Sequence, residues 1–202
     1  MSESKLIVSV SGKVDLPDPT KDTIKALYQK QNGECFYCGF EAMRSLKPVA
    51  DEQSQSWVLC CPICYDVLNL DEAARERPRG RIIATNDFTQ EQINIAMQVA
   101  WATQYHVGDD FPSTAISTVW NKLQQLTYGV EYRFGKGTSK LPVAASVLAS
   151  LGEKYYEKRK TICHDLRYLP NDKDYPVFLS YWQSEVYGKY KDDIPKMEVV
   201  GE

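Results

Sequence analysis

The chain has 202 residues, 43% of them hydrophobic, which is enough to bury one substantial core. Its formal net charge of −3 and its sequence pI of about 5.5 argue against a general affinity for nucleic-acid backbones. No apolar stretch approaches the ~20 residues that span a bilayer, and no Gly-, Ser- or charge-rich linker divides the chain. We therefore expect a single domain over residues 1–202.

The first part of the chain predicts a strand and a helix that lead toward the first cysteines. Residues 5–10 are rich in β-branched side chains, which is typical of a strand. A helix is expected to begin at Asp18-Pro19-Thr20, with Pro19 or Thr20 near its first turn, and to end at Asn32-Gly33. A strand over residues 57–61 and a helix over residues 66–77 are expected to follow.

The second part of the chain predicts mostly helix. Residues 81–85 form a short strand candidate. Thr89 and Gln92 have the spacing of a capping box, so we place a helix over residues 89–105. Further helices are predicted at residues 114–127, 142–154 and 175–187, with a turn over residues 134–139.

Four cysteines form two short pairs, Cys35-Phe-Tyr-Cys38-Gly and Cys61-Pro-Ile-Cys64. A pair of cysteines two residues apart makes a tight knuckle with both sulfurs facing one point, and two knuckles supply the four thiolates of a tetrahedral zinc site. The 22 residues between Cys38 and Cys61 are enough for a hairpin that folds one knuckle onto the other. Such a site is closed, because no coordination position remains for water.

Three alternatives to this metal site remain at the level of sequence. Cys60 could replace Cys61 as the third ligand, although Cys61 gives the regular knuckle spacing with Cys64. Iron could replace zinc, as in rubredoxin, whose four thiolates bind a single iron. Disulfides are the third alternative, but no apolar signal sequence precedes the chain, so we expect reduced thiols in the cytosol.

A finger of this spacing also resembles the core of the HNH nucleases. Residues 29–39 are similar to the helix end and knuckle with which that core begins. The nuclease needs a histidine in the intervening hairpin as general base, and a His or Asn beyond the second knuckle to hold a catalytic cation. Here residues 45–50 contain no histidine, and Tyr65 follows Cys64. We therefore expect the scaffold without the active site, and no enzymatic activity.

The other polar features of the chain are interpreted as ordinary surface. His106 and His164 are remote from the knuckles in sequence and are expected to be surface or capped side chains. The basic segments at residues 75–81 and 158–160 are short, so we expect solvated charges rather than phosphate sites. The glycines of residues 134–139 lack the spacing of a P-loop.

Aromatic residues are numerous, with 13 Tyr and four Trp, and such side chains often anchor protein interfaces. We hypothesise that zinc holds the finger shut and so presents a groove between the finger and the helical body to an amphipathic partner segment. Each candidate anchor is still better interpreted as core than as contact. The candidates are Trp57, Tyr65, Trp101, Trp120, Tyr181 and Trp182.

Two motifs make the pattern more specific than a generic pair of knuckles. The doublet Cys60-Cys61 precedes the second knuckle, and Phe134-Gly-x-Gly-Thr-Ser139 lies far downstream. Together with Cys35-Phe-Tyr-Cys38-Gly-Phe and the chain length, they resemble the IcmJ family, also called DotN, of the Dot/Icm type IVB secretion system. The resemblance covers roughly residues 20–150.

The resemblance implies a fold, a role and a set of partners. The fold would be α+β and predominantly helical, with an HNH-like (treble-clef or ββα-metal) zinc finger over about residues 20–77 and a helical body over about residues 81–190. Zinc would be held by Cys35, Cys38, Cys61 and Cys64. The protein would be a non-catalytic adaptor of the coupling complex on the cytoplasmic face of the inner membrane. It would bind the C-terminal segment of the coupling ATPase DotL, beside DotM and the adaptors IcmS and IcmW.

Two other functions remain as alternatives. One is an HNH-type nuclease, which would use the same scaffold with an active site that the sequence does not reveal. The other is a zinc protein that binds nucleic acid, against which the acidic balance of the chain and the absence of a basic run beside the knuckles both count.

Overall fold

Helices predominate in the computed structural model, which describes residues 6–107 and 113–186 and has an α+β fold, as predicted. The helices are α1 (Lys21–Lys30), α2 (Pro62–Leu68), α3 (Leu70–Glu76), α4 (Gln90–Val107), α5 (Ser113–Gln125), α6 (Thr127–Phe134), α7 (Leu141–Ser150), α8 (Glu153–Glu157), α9 (Arg159–Ile162) and α10 (Pro176–Tyr181). The strands are β1 (Lys47–Asp51), β2 (Ser56–Cys60), β3 (Arg81–Ala84) and β4 (Leu166–Leu169). Among the described helices, none is both long enough and apolar enough to cross a membrane.

The strand predicted at residues 5–10 is wrong, although the described part of that segment is extended and buried. The backbone amide of Ser9 donates to Val67 O at 3.0 Å, and its carbonyl accepts from the amide of Leu70 at 2.9 Å. These partners lie where α2 ends and α3 begins, so the segment pairs with a helix junction instead of a strand. Leu6, Val8 and Val10 bury their side chains in the core.

Helix α1 begins and ends close to the predicted positions. Thr20 is its N-cap, and the Thr20 side chain accepts from the Thr23 amide at 3.1 Å. After the helix, Asn32 and Gly33 both adopt positive φ, which turns the chain toward the first knuckle. No residue of α1 is fully buried, so this helix contributes little to the core.

The hairpin between the two knuckles consists of β1 and β2, which pair antiparallel with Val49 opposite Val58. Strand β2 matches the prediction, whereas β1 was missed because Lys-Pro-Val-Ala-Asp is a weak strand sequence. The predicted helix over residues 66–77 begins earlier and is broken in two. Asn69 leaves helical geometry, and its side-chain amide donates to Tyr65 O at 2.8 Å in place of a continuing helical bond.

The capping box predicted at the start of α4 is present. The Thr89 amide donates to Gln92 Oε1 at 2.9 Å, and the Gln92 amide donates to Thr89 Oγ1 at 3.3 Å. Downstream, α5 and α7 match predicted helices, but the sequence did not predict α6. The last predicted helix is found as α10, which continues into a π-helical turn over Trp182–Val186, and Tyr187 lies outside the described residues.

Strand β4 was also missed, and it completes the second sheet. It pairs antiparallel with β3, so that Ile82 lies opposite Tyr168. Both residues are buried, and α6 and α7 pack against this sheet. One hydrophobic cluster extends from the knuckles through α2 and α3 to this sheet and to Trp182. The knuckles therefore lie against the core of the body.

Candidate metal centre

The structure brings the four predicted thiols together. The sulfurs of Cys35, Cys38, Cys61 and Cys64 all lie within 4.8 Å of one another, and Cys38 Sγ is 3.8 Å from Cys61 Sγ. A tetrahedron with metal–sulfur bonds of about 2.3 Å has edges of roughly 3.8 Å, so the cluster is close to the size that a metal requires. Cys60 is buried but does not belong to this cluster.

The first knuckle is a tight turn that follows α1. The Cys35 amide donates to Phe40 O at 2.8 Å, and the Gly39 amide donates to Cys35 O at 2.9 Å. Gly39 has a φ of 70°, a conformation that a residue with a Cβ adopts at a cost. Glycine after the second cysteine therefore lets the chain close behind the two sulfurs and return toward β1.

The second knuckle is built on the first turn of α2. Cys61 is the N-cap of this helix, and its sulfur accepts from the Cys64 amide at 3.5 Å. Pro62 occupies the first helical position, where its missing amide hydrogen leaves no helical bond unmade. The helix thus fixes the Cys61 and Cys64 sulfurs on the side that faces the first knuckle.

Burial makes a cation the natural occupant of the cluster. Cys35, Cys61 and Cys64 are at most 2% exposed, and Cys38 is 8% exposed. Burial raises the pKa of the Cys61 and Cys64 thiols, because an ionised sulfur loses its hydration. Burial opposes ionisation of Cys35 as well, but hydrogen bonds from the neighbouring thiols outweigh it and lower its pKa far below the usual range. All four sulfurs could be thiolates together only with a cation among them to offset their charge.

The four sulfur ligands limit which metal ion can bind, but they do not determine its identity. Four sulfurs in a compact group are typical of zinc or of iron bound to sulfur, and not of the oxygen-loving Mg²⁺ or Ca²⁺. All six cysteines are free thiols in the structure, so no disulfide competes for these sulfurs. The cluster is closed by its own ligands, which is the arrangement of structural metal sites.

Two residues of the site were not foreseen from the sequence. Asn94 Nδ2 donates to Cys64 Sγ at 3.2 Å, and Gln98 Nε2 donates to Cys61 Sγ at 3.4 Å. Both side chains come from α4 and are at most 1% exposed. The only available signal was their spacing of four residues on a helix whose apolar face was assumed to be the buried one.

Lys47 and Tyr65, two residues in the segments that were compared with HNH nucleases, contact each other in the structure. Lys47 Nζ of β1 lies 4.6 Å from the centre of the Tyr65 ring, and the Tyr65 hydroxyl donates to Glu72 at 2.9 Å. His164 is exposed, and its ring nitrogen Nδ1 lies 2.8 Å from Thr161 O. The side chain of His106 lies outside the part of the chain that the structure describes. His164 is not among the described residues that lie around the sulfurs.

The two basic segments are not simply solvated, which corrects the prediction for the central arginine of each. Arg77 is 7% exposed and donates to Asp66 at 2.9 Å. Arg159 is 3% exposed and donates to Glu52 at 2.6 Å. Burial raises the pKa of Asp66 to about 6, against the opposing charge of Arg77. These arginines stabilise the fold and are not free to bind phosphate.

A cleft of about 1,030 Å³ lies where the finger meets the body. The N-terminal segment and the hairpin contribute to its walls, as do the loop before α4 and helix α9. Trp57 and Tyr65 line it from the finger side, and Phe88 and Arg167 line it from the body side. Two of the six aromatic residues that were proposed as interface anchors therefore line the cleft.

The remaining aromatic candidates divide between core and partial exposure. Trp101 and Trp182 are buried, with Trp182 Nε1 donating to Ser45 Oγ at 3.0 Å, so both are core. Trp120 and Tyr181 are half-buried. The most exposed described aromatics are Tyr128 and Tyr132 on α6, neither of which was singled out from the sequence.

No family model matches this sequence, and a search of curated proteins finds no match either. The described residues thus contain a closed, buried cluster of four cysteines that can hold a metal ion, and a cleft at the boundary between finger and body.

Proposed function

We propose that this protein is a non-catalytic zinc-binding adaptor, in which zinc braces an HNH-like finger against a helical body so that the two present a docking cleft. The observation that carries the proposal is the closed cluster of four buried thiols. Zinc is the ion proposed because it has no redox chemistry and prefers a tetrahedral set of sulfurs in structural sites.

The HNH-like character of the finger is part of the proposal. A helix leads into the first knuckle, a two-stranded hairpin follows, and the second knuckle opens a helix. This order is the one that the resemblance implies. In an HNH nuclease, a histidine of the hairpin and a polar residue after the second knuckle would face each other. Here Lys47 and Tyr65 make a cation–π contact between the hairpin and α2, which supports a structural role for these two positions.

The proposed biological setting is the one implied by the resemblance to the IcmJ (DotN) family. The protein would be a subunit of a type IVB secretion coupling complex and would bind the C-terminal segment of a DotL-type coupling ATPase. DotM and adaptors of the IcmS and IcmW type would belong to the same complex. The protein would then lie in the cytoplasm and be peripheral to the inner membrane through its partners.

The cleft is where we place the partner segment. An extended or helical peptide needs a concave surface with a few large anchoring side chains, and Trp57 and Tyr65 supply two of them. Trp57 is partly exposed and is held in place by a hydrogen bond from Nε1 to Pro17 O at 2.9 Å. An anchor that is fixed before binding loses less conformational entropy when the partner arrives.

The first test combines metal content with partner binding. Purified protein is analysed for zinc and iron and is then used to capture the C-terminal segment of a DotL-type ATPase. We expect about one zinc per chain, in line with one four-cysteine site, and capture of the segment. Trp57→Ala should weaken capture at least ~10-fold, as expected for an anchor residue, with zinc content unchanged. Tyr132→Ala is the matched control, because Tyr132 is highly exposed and does not line the cleft.

The opposite results are equally clear. Iron in place of zinc would favour a rubredoxin-like site. Nicking of plasmid DNA with Mg²⁺ or Mn²⁺ that is lost in a Cys38→Ser variant would favour a nuclease. Retention on DNA or RNA that falls steeply with salt would favour a nucleic-acid-binding protein. Unchanged capture by the Trp57→Ala variant would remove the cleft from the mechanism.

A further inference from the structure

A ladder of buried carboxamides runs along one face of α4 toward the cysteine cluster. Gln90, Asn94 and Gln98 are spaced four residues apart, and each is at most 1% exposed. Burying three amides is costly unless their polar atoms are used, so a specific role is expected for them. Asn94 and Gln98 each contact a cysteine sulfur, and the Gln90 side chain contacts Asn94 and strand β4.

Hydrogen bonds to the backbone of Tyr168 determine which end of the Gln90 carboxamide is oxygen and which is NH₂, and Gln90 in turn orients Asn94. The Tyr168 amide hydrogen donates to Gln90 Oε1 at 2.6 Å, so the other end of the Gln90 side chain must be its NH₂ group. That NH₂ donates to Tyr168 O and to Asn94 Oδ1, both at 2.8 Å. The Asn94 NH₂ group is therefore left facing Cys64 Sγ, at 3.2 Å. Strand β4 thus sets the orientation of a donor that points at the cluster.

We propose that Asn94 and Gln98 are the donors that stabilise the thiolates of a bound metal, and that Gln90 positions Asn94. This inference rests on the proposed function only in that it assumes a metal on the four cysteines. A metal-bound thiolate keeps much of its negative charge, and an N–H group aimed at it disperses that charge. Because the donors come from α4, the helical body contributes directly to the metal affinity of the finger.

The contacts of Gln98 indicate that it is buried for its hydrogen bond to sulfur and not only to fill space. Its Nε2 donates to Cys61 Sγ at 3.4 Å, while its Oε1 has no hydrogen-bond partner among the described residues. A buried carbonyl oxygen without a partner costs stability, so packing alone would be served as well by an apolar side chain. The sulfur contact is the interaction that Gln98 makes and that Met at this position would lose.

The test measures zinc affinity by competition with a chelator, together with the spectrum of the Co²⁺-substituted protein. Asn94→Leu should weaken zinc binding about 10- to 100-fold, the usual effect of removing a hydrogen bond to a metal ligand. Gln98→Met should weaken it less, because its contact is longer. In both variants the sulfur-to-cobalt charge-transfer band should move to lower energy, since a thiolate without its donor is easier to oxidise. A side chain with only a packing role would leave that band in place.

A double-mutant cycle tests the positioning role of Gln90. Gln90→Met should weaken zinc binding about 10-fold in the wild-type background, because the freed Asn94 amide no longer has a fixed direction. In the Asn94→Leu background, the same change should have no further effect. Additive losses would show that Gln90 does not act through Asn94, which would overturn that part of the inference.

The controls keep the two proposals apart. Gln125→Met makes the same chemical change at an exposed position of α5 and should alter neither affinity nor spectrum. If Asn94→Leu fails to fold, Gln98→Met still decides the question at the other sulfur. Wild-type affinity and an unchanged band in Gln98→Met and in folded Asn94→Leu would overturn the inference but leave the zinc site intact. A wild-type protein that binds no metal would overturn the inference and the proposed function together.

Discussion

The finger and the body of this protein are stabilised in different ways. The finger has a helix without a fully buried residue, a two-stranded hairpin and a centre made of sulfur. The body instead surrounds sheet β3–β4, in which Ile82, Ile83, Tyr168 and Leu169 are all at most 1% exposed. An isolated hairpin is marginal in water, so α1 and the hairpin depend on the cluster. Helices α2 and α3 of the finger share the apolar core on which the body depends. A metal ion in this molecule is therefore expected to act mainly on one region.

The difference does not make the finger independent, because specific contacts join the two regions. Phe40 packs edge-on against Trp182, with ring centres 5.1 Å apart. Asp66 of α2 accepts hydrogen bonds from Arg77 and from the Tyr175 hydroxyl. Both partners of Asp66 are buried, so this network connects the second knuckle to the end of the chain that the structure describes.

Loss of a cluster cysteine should have the largest effect. Cys64→Ser removes one of four sulfurs, and structural zinc sites contribute roughly 10–16 kcal/mol of binding free energy in zinc-finger peptides at neutral pH. We expect loss of zinc and unfolding of α1, the two knuckles and the hairpin, measured by elemental analysis and by hydrogen exchange. Cys163→Ser is the matched control, because Cys163 is equally a buried thiol but lies outside the cluster. Equal zinc content in both variants would contradict the assigned ligands.

Breaking the Asp66 network should have the next largest effect. Asp66→Ala removes the buried carboxylate of Arg77 and leaves only the exposed carboxylate of Glu76 beside it, which is expected to cost up to about 3 kcal/mol of unfolding free energy. Chemical denaturation should show this loss as a lower midpoint. Arg79→Ala is the control, since Arg79 is 59% exposed at its side chain and pairs with Asp174 at 3.6 Å. That surface pair should contribute less than about 1 kcal/mol. Similar losses in the two variants would mean that the buried network does not connect the regions.

Gly80→Ala should disturb the body without affecting the metal. A Cβ at Gly80 would lie 2.7 Å from Tyr168 Oη, and Tyr168 is fully buried and hydrogen-bonded to Tyr175. Overpacking of this kind costs about 1–3 kcal/mol, so the melting temperature should fall while the zinc content stays constant. The control is Gly152→Ala, because no atom lies within 4 Å of a Cβ at that position. A melting temperature as high as that of the control would show that the ring can move aside.

The smallest effect is expected at the start of α1. Thr20→Ala removes the side-chain cap, which usually contributes about 1 kcal/mol. Because α1 buries no residue, the loss should appear as faster hydrogen exchange within this helix and not as a lower global melting temperature. Thr20→Ser keeps the capping oxygen and should exchange like the wild type. A large fall in global stability would mean that α1 contributes more to the core than its exposure indicates.

The parts of the structure that could be predicted depend on local chemistry. The knuckle spacing placed the four thiols, the segment Asp18-Pro19-Thr20 marked the start of α1 to within two residues, and Thr89 with Gln92 marked the start of α4. Each of these interactions joins residues only a few positions apart, so it forms in the same way whatever the rest of the fold is. Cys61 was preferred over Cys60 for the same local reason, the geometry of a two-residue gap, and it is the member of the cluster.

The parts that could not be predicted depend on distant partners. Strand β4 exists because β3 lies beside it, although more than 80 residues separate Ile82 from Tyr168. The sequence of residues 6–10 is typical of a strand, but this segment hydrogen-bonds to the junction between α2 and α3. The buried amides of α4 were invisible because periodicity identifies apolar faces, whereas Asn94 and Gln98 are buried for their hydrogen bonds to sulfur. The basic segment at residues 158–160 was misinterpreted for a similar reason, since Arg159 pairs with Glu52, which lies 107 residues away.

The central claim is that four sulfurs enclose one metal ion and thereby hold the finger against the body. X-ray absorption at the zinc edge of the purified protein tests it most directly, because the spectrum reports the number, type and distance of the ligands. The account predicts about one zinc per chain, surrounded by four sulfur atoms at about 2.3 Å. A zinc with nitrogen or oxygen neighbours, or a folded protein that contains no metal, would contradict it.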